Sequence, residues 1–234
     1  MKAQEIKKKL ESLGSREQAE VSRWFFKTGP GEYGAGDVFI GIKVPVLRKL
    51  AKAFADLPLK EAATLLNSEI HEARLLALLI LVRMFERGDD SIRQQIYTLY
   101  LRSTSSVNNW DLVDSSAPYI IGPYLAGRSR APLYRLAQSK SLWERRIAIM
   151  ATFHFIKNSE FSETLKIAQM LLSDREDLIH KSVGWMLREI GKRHMQTEEN
   201  FLKKCYQKMP RTMLRYAIEK FPEPKRQAFL KGTI

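Results

Sequence analysis

The 234-residue chain is poor in the residues that build metal centres and covalent cross-links. It has one cysteine, Cys205, so an internal disulfide and a multi-cysteine zinc site are both excluded. A lone Cys between Lys203-Lys204 and Tyr206 reads as a packing residue rather than a nucleophile, and it fits a reducing compartment. The four histidines, at 71, 154, 180 and 194, are scattered, with none paired at metal-ligand spacing. Each reads as a structural or surface residue, and no Ser lies in a nucleophile-elbow motif. No apolar run approaches the length of a membrane span, and residues 1–20 are too polar for a secretory signal. A cytoplasmic protein without a membrane, metal or cofactor is therefore expected.

Acidic residues are also in short supply. Against 39 Lys and Arg stand 26 Asp and Glu, a net charge of +13. An excess of that size points to an anionic partner, first nucleic acid and then an anionic membrane surface. Alternating strand patterns are missing too, and helical periodicity dominates. Ile6, Leu10 and Leu13 form a first amphipathic stretch that Gly14 ends. Ser15 and Gln18 then give a capping-box signature for a helix through Trp24, Phe25 and Phe26. Pro45 suits the first turn of a helix reaching about Asp56. Further helices are predicted over 59–67, 70–87, 90–102, 110–127, 131–138, 142–157, 161–172, 176–193, 197–208 and 211–221, with Pro118 and Pro123 kinking the one after Asp114. The Gly-dense loop from Thr28 to Asp37 lacks a Gly-Lys-Ser/Thr ending and follows no strand, so it is not a phosphate loop. A flexible loop near the partner's path is the better reading.

A weak internal repeat runs through these helices. Glu72-Ala73-Arg74-Leu75-Leu76-Ala77, Glu144-Arg145-Arg146-Ile147-Ala148 and Arg211-Thr212-Met213-Leu214-Arg215-Tyr216-Ala217 share an Arg followed by a small Ala, and Lys181-Ser182-Val183-Gly184-Trp185 is a looser copy. Arg74 and Arg146 fall two periods of roughly 36 residues apart, near the length of paired-helix solenoid repeats. The expectation is an all-α chain: one curved solenoid domain over 1–234, with the shared basic position lining a concave face.

Candidate chemistry gathers in four places. In Asn109-Trp110-Asp111-Leu112-Val113-Asp114, Asn109 is an N-cap, and Trp110 and Asp114 lie one turn apart on one helix face. Asp111 sits in the first turn, where its charge suits the helix dipole. An indole beside a carboxylate suits a cationic partner, although a half-core Trp and a solvated Asp give the same pattern. Trp143 and Arg146 share a second face. Lys181, Trp185, Arg188 and Lys192, with Arg193 beside them, form a basic stripe around an indole, as at nucleic-acid surfaces. A solvated basic face with a core Trp fits that spacing as well. Arg211, Arg215 and Lys220 suit phosphate contacts. Of Trp24, Phe25 and Phe26, at most one should face a ligand.

Asn109-Trp110-Asp111-Leu112-Val113-Asp114-Ser115, Trp143-Glu144-Arg145-Arg146 and Lys181-Ser182-Val183-Gly184-Trp185-Met186-Leu187-Arg188-Glu189 together resemble the AlkD-type DNA alkylation repair glycosylases, as do the amino-terminal Gly-rich loop and Gly41-Ile42-Lys43-Val44-Pro45. The resemblance spans nearly the whole chain. It implies a right-handed solenoid of HEAT-like antiparallel helix pairs with a basic concave groove for double-stranded DNA. The implied reaction is hydrolysis of the N-glycosidic bond of positively charged alkylated purines such as 3-methyladenine and 7-methylguanine. By the same resemblance Asp114 is the catalytic carboxylate, Trp110 and Trp185 flank the lesion nucleotide, Arg146 is the active-site arginine, and Phe25 stands near the family's amino-terminal aromatic. Lys181, Arg188, Lys192, Arg193, Arg211 and Arg215 would contact DNA. A monomer is the default expectation, and no cofactor is expected; the alternative is a non-catalytic HEAT-like repeat protein that binds damaged or branched DNA.

Overall fold

A computed structural model describes residues 2–234, and among them the chain is all-α apart from one isolated parallel bridge, Val38 to Ile70. The contacts fall into two compact units, one ending at Ser116 and the other starting at Ala117.

The first unit holds α1 (Ala3–Leu13), α2 (Arg16–Phe25), α3 (Val44–Ala53), α4 (Leu59–Leu66), α5 (His71–Arg87), α6 (Asp90–Arg102) and α7 (Trp110–Asp114). Its centre is α5, which packs against α1, α3, α4, α6 and α7. Leu75, Leu76, Ala77, Leu78, Ile80 and Leu81 are buried on several sides of that helix, as a central helix requires. Helix starts follow the expected signals: Ser15 accepts from the Gln18 N–H at 3.3 Å, Asp89 caps α6, and Pro45 lies in the first turn of α3. Before α3 the chain turns through Gly41, whose φ of +84° is open to glycine and strained for other residues. The buried Glu72 carboxylate accepts the N–H groups of Ile40, Gly41 and Ile42 there, so the turn leaves no orphaned donors.

The second unit holds α8 (Ala117–Leu125), α9 (Ala131–Ala137), α10 (Leu142–Ala151), α11 (Phe153–Lys157), α12 (Ser162–Met170), α13 (Asp177–Cys205), α14 (Arg211–Ala217) and α15 (Glu223–Lys231). It is built on α10 and α13, which pack on each other and on most of the remaining helices. Cys205 is buried, and burial pushes its thiol up to about 11, in keeping with a packing role.

Several boundaries differ from expectation. The helix expected over 110–127 breaks at Ser115-Ser116, so Pro118 falls in the opening turn of α8 and introduces no kink. The 142–157 helix is interrupted at Thr152. The helices expected over 176–193 and 197–208 are both present within α13, separated by a kink at His194 (φ −150°, ψ 83°), whose Nδ1 accepts from the Thr197 N–H at 3.2 Å; the second segment ends at Cys205. Helix α15, opened by Pro222 and Pro224, was not anticipated.

The repeat is real, but its register differs by one residue. Arg74 is the fourth residue of α5 and donates to the Ser68 and Glu69 carbonyls. Arg145, fourth in α10, donates to the carbonyls of Ser139 and Lys140. His180, fourth in α13, bonds the Asp174 carbonyl at 2.6 Å. Each side chain reaches back five or six residues to satisfy carbonyls of the preceding turn, which a following helix would otherwise bury unpaired. Arg74 therefore corresponds to Arg145, and Arg146 lies one position beyond the repeat.

Small residues let helices approach closely. A Cβ on Gly184 would stand 2.4 Å from the Met213 carbonyl oxygen and 2.5 Å from the Tyr216 Cβ, on α14. The two helices must separate to admit a methyl group there. Gly184→Ala should therefore lower stability by about 1–3 kcal/mol, measured as the urea midpoint at constant m-value.

Candidate active site

Helix α7 is only five residues long, and an isolated helix of that length would not persist in water. Side chains hold it at both ends. At its start the buried Asn109 accepts from the Trp110 N–H at 2.9 Å, and its amide donates to Asp37 at 3.3 Å. Asn108 accepts from Arg74 at 3.1 Å. At its end the Ser116 hydroxyl donates to the Leu112 carbonyl and meets the Tyr100 hydroxyl at 2.9 Å. The single serine proton is thereby used, so Tyr100 donates to Ser116. Burial raises the Tyr100 phenol well above its ordinary range, and the Asp114 charge adds to the effect, keeping it neutral. Between these fixings Trp110 and Asp114 lie one turn apart, each half-buried.

Asp111, expected to serve only the helix dipole, has a larger part. Its carboxylate meets His71 Nε2 at 2.9 Å, and Asp37 meets His71 Nδ1 at 2.8 Å. Asp37 also takes the Arg74 guanidinium at 2.5 Å. The His71 and Asp37 side chains are 2% and 3% exposed, so this is a buried ionic cluster. Burial alone would push the imidazole down, but the charge and hydrogen bond of Asp111, joined by those of Asp37, hold it up at about 9. Burial likewise works to raise Asp37, and the hydrogen bond and charge of His71, with Arg74, overcome it and hold that carboxyl below its usual range. Near neutral pH His71 is an imidazolium with both N–H groups donated.

Aromatic rings continue from the cluster to α7. His71 stacks on Phe39 at 4.3 Å between centroids, Phe39 on Phe26 at 4.9 Å, and Phe26 on Trp110 at 5.3 Å. Phe25 meets the Trp110 ring edge-on at 5.9 Å while remaining 54% exposed. Phe26 also meets His71 directly at 5.1 Å, so His71, Phe39 and Phe26 form a three-ring cluster on which Trp110 stacks, and each aromatic pair adds roughly 0.5–1.5 kcal/mol beyond its buried area. The Gly-dense loop ending at Asp37 is anchored through that residue to α5 and to the cap of α7, more firmly than a flexible loop would be.

In the second unit Trp185 is half-buried on α13, and its indole N–H donates to Glu189 at 3.3 Å. The same carboxylate takes Lys192 at 2.5 Å and Arg193 at 3.0 Å. Burial would raise Glu189, but the hydrogen bonds from Lys192 and Arg193 outweigh it and keep the group ionised. The basic stripe therefore has an acid at its centre, which orients the indole. Lys181 pairs with Asp177 at 2.7 Å, and Arg188 pairs with Glu219. Arg145 is committed to the Asp174 carboxylate and to its repeat carbonyls. Arg146 is 5% exposed and donates to the Leu178 carbonyl at the start of α13. Arg211 donates to the Leu230 carbonyl, and both Arg211 and Arg215 are exposed on α14.

Comparison with known proteins adds the family. The model of the family described as "DNA alkylation repair enzyme" matches residues 6–221. The chain belongs to the DNA alkylation repair enzyme family. A solved structure described as "Predicted DNA alkylation repair enzyme from Enterococcus faecalis" is 17% identical with a TM-score of 0.69, covering 90% of this chain and 97% of that one. That likeness carries the helical-repeat fold. No curated protein matches the chain at a significant level. Among the described residues no helix of this DNA alkylation repair protein is long and apolar enough to cross a membrane.

Motif spacing could not reveal the cluster of Asp37, His71 and Asp111 or the bond from Trp185 to Glu189. Asp37 and Asp111 lie 34 and 40 residues from His71 in sequence. The available signal was an acid closing the Gly-dense loop and a His opening an apolar helix. The cluster has a consequence for stability. A histidine whose folded pKa is raised contributes fully below its unfolded value of 6.5, and the contribution is lost as pH rises through about 9. The difference in Tm between wild type and His71→Gln should therefore be large at pH 6 and shrink above pH 9, as followed by circular dichroism. A pH-independent difference would contradict an imidazolium at that position.

Proposed function

We propose that this member of the family is a DNA glycosylase hydrolysing the N-glycosidic bond of positively charged alkylated purines, 3-methyladenine and 7-methylguanine, in duplex DNA. The observation that carries the reading is the rigidly held face of α7, where a half-buried indole and a half-buried carboxylate stand one turn apart.

The chemistry asks little more of the protein. Alkylation at a ring nitrogen makes the base cationic, so it leaves neutral and needs no general acid. As the bond lengthens, positive charge develops on the deoxyribose, as in glycoside hydrolysis. Asp114 stabilises that charge, orients the attacking water and takes up the proton it loses, as the water oxygen bonds to the anomeric carbon and the base departs neutral with the bonding electrons. Trp110 packs on the sugar and adds cation–π stabilisation. Phe25, edge-on to Trp110 and exposed, extends the same aromatic surface.

Trp185 and Arg146, which lie in the second unit, are further candidates for contact with DNA. Support for Trp185 is its orientation by Glu189. Support for Arg146 over Arg145 is that Arg145 is committed to the repeat lock and to Asp174, whereas Arg146 is fixed in place by Leu178. Lys181, Arg188, Lys192, Arg193, Arg211 and Arg215 are proposed to meet phosphates, and the net charge of +13 supports a polyanionic partner. Their acidic neighbours Asp177, Glu189 and Glu219 would have to share them with DNA.

Base release from methylated duplex DNA tests the proposal. Wild type should release free methylated purine, and Asp114→Asn should bind that DNA comparably while losing about 100-fold or more of the release rate. Equal release by both would remove Asp114 from the mechanism. Release by neither, with salt-sensitive duplex binding intact, would leave a non-catalytic repeat protein that binds damaged DNA. On the binding side, Arg215→Ala should weaken affinity alike for all sequences and lower the slope of log affinity against log salt by about one.

A further inference from the structure

We infer that His71, gripped between Asp37 and Asp111, is a positioning group that sets Trp110 and with it the working face of α7. Two connections run from this one ring to Trp110. The first is aromatic: Phe26, on which Trp110 stacks, meets His71 directly at 5.1 Å and again through Phe39. The second is covalent: Asp111 follows Trp110 in the chain, so a bond from His71 Nε2 to Asp111 fixes the first turn of α7 directly on α5. Asp37 adds a third tie, holding His71 on one side and the Asn109 cap on the other.

The device works only while both ring nitrogens carry protons. A neutral imidazole donates from one nitrogen and presents a lone pair at the other. One carboxylate must then lose its donor. Asp37 keeps Arg74 and the Asn109 amide, and its side chain is 3% exposed. Asp111 is 14% exposed, and its Oδ1 has no hydrogen-bond partner. Asp111 is therefore the carboxylate that turns to water, and α7 loses its tie to α5. The charged groups facing His71 are Asp37 from the loop, Asp111 from α7 and Arg74 from α5 itself. Glu72, the neighbour in sequence, is occupied by the N–H groups of residues 40–42. The high imidazole pKa, about 9, agrees with this geometry and places the release in the alkaline range.

The effect on catalysis rests on the glycosylase reading, whereas the effect on Trp110 does not. The test therefore follows the near-UV circular dichroism band assigned to Trp110 by difference from Trp110→Phe, between pH 6 and 11, beside the His71 imidazole resonance. In wild type the band should change with the same midpoint as the His71 resonance, near 9. In Asp111→Asn both midpoints should move together toward neutral pH, by about a unit or more, because a carboxylate that retains the proton is gone. In His71→Gln the band should be flat over that range. A Trp110 band that stays constant while His71 titrates, or a midpoint unmoved in Asp111→Asn, would overturn the inference. Should Asp111→Asn fail to fold, the wild-type titration alone decides. Single-turnover base release across the same pH range should fall with the same midpoint. Absence of release at every pH would reject the glycosylase reading, and the Trp110 band would still decide the role of His71.

Discussion

A buried imidazolium is the constraint on which the first unit depends. A charge removed from water is costly unless it is paired and hydrogen-bonded, and here it is answered by two carboxylates, one of which is shared with a guanidinium. Because neither His71 nor Asp37 can be satisfied alone, three separate stretches of chain must meet: the end of the Gly-dense loop, the start of α5 and the start of α7. The arrangement is local in space and distant in sequence. It gives a five-residue helix the rigidity that its length could not supply, and that helix carries the residues proposed for chemistry.

The second unit uses the same physics at a more exposed site. Glu189 is the anion there, collecting an indole N–H, a lysine and an arginine around one half-buried Trp. In both units a tryptophan proposed to meet DNA is oriented by a side chain that has no part in the reaction. Arginine is divided in a similar way. Arg74 and Arg145 close the turns of the repeat, while exposed cations such as Arg215 remain for an anionic partner. A high net charge is thus an incomplete guide to the binding surface, since part of it is spent on carbonyl groups inside the fold.

Much of the helical framework was legible because caps and apolar periodicity are local signals. Ser15, Asn109 and Pro45 marked helix starts, and the i, i+4 relation of Trp110 and Asp114 followed from the start of α7. The break at Ser115-Ser116 was not legible, because the hydroxyl of Ser116 closes α7 only when Tyr100 stands opposite. Nor was the repeat register, since Arg145 and Arg146 are equivalent as letters and differ only in which one reaches the preceding carbonyls. His71 was passed over as one scattered histidine because its partners lie more than thirty residues away on either side. Local chemistry is visible in a sequence, whereas pairing across the fold is visible only once the fold is known.

The central claim is that a damaged nucleotide is received against the Trp110–Asp114 face of α7. Tryptophan fluorescence tests it most directly, with a duplex carrying one stable lesion analogue titrated into wild type and into Trp110→Phe. The account predicts that the lesion duplex quenches wild type more than an undamaged duplex does, and that this excess disappears in Trp110→Phe. An excess of the same size in both proteins would place the lesion elsewhere and contradict the account.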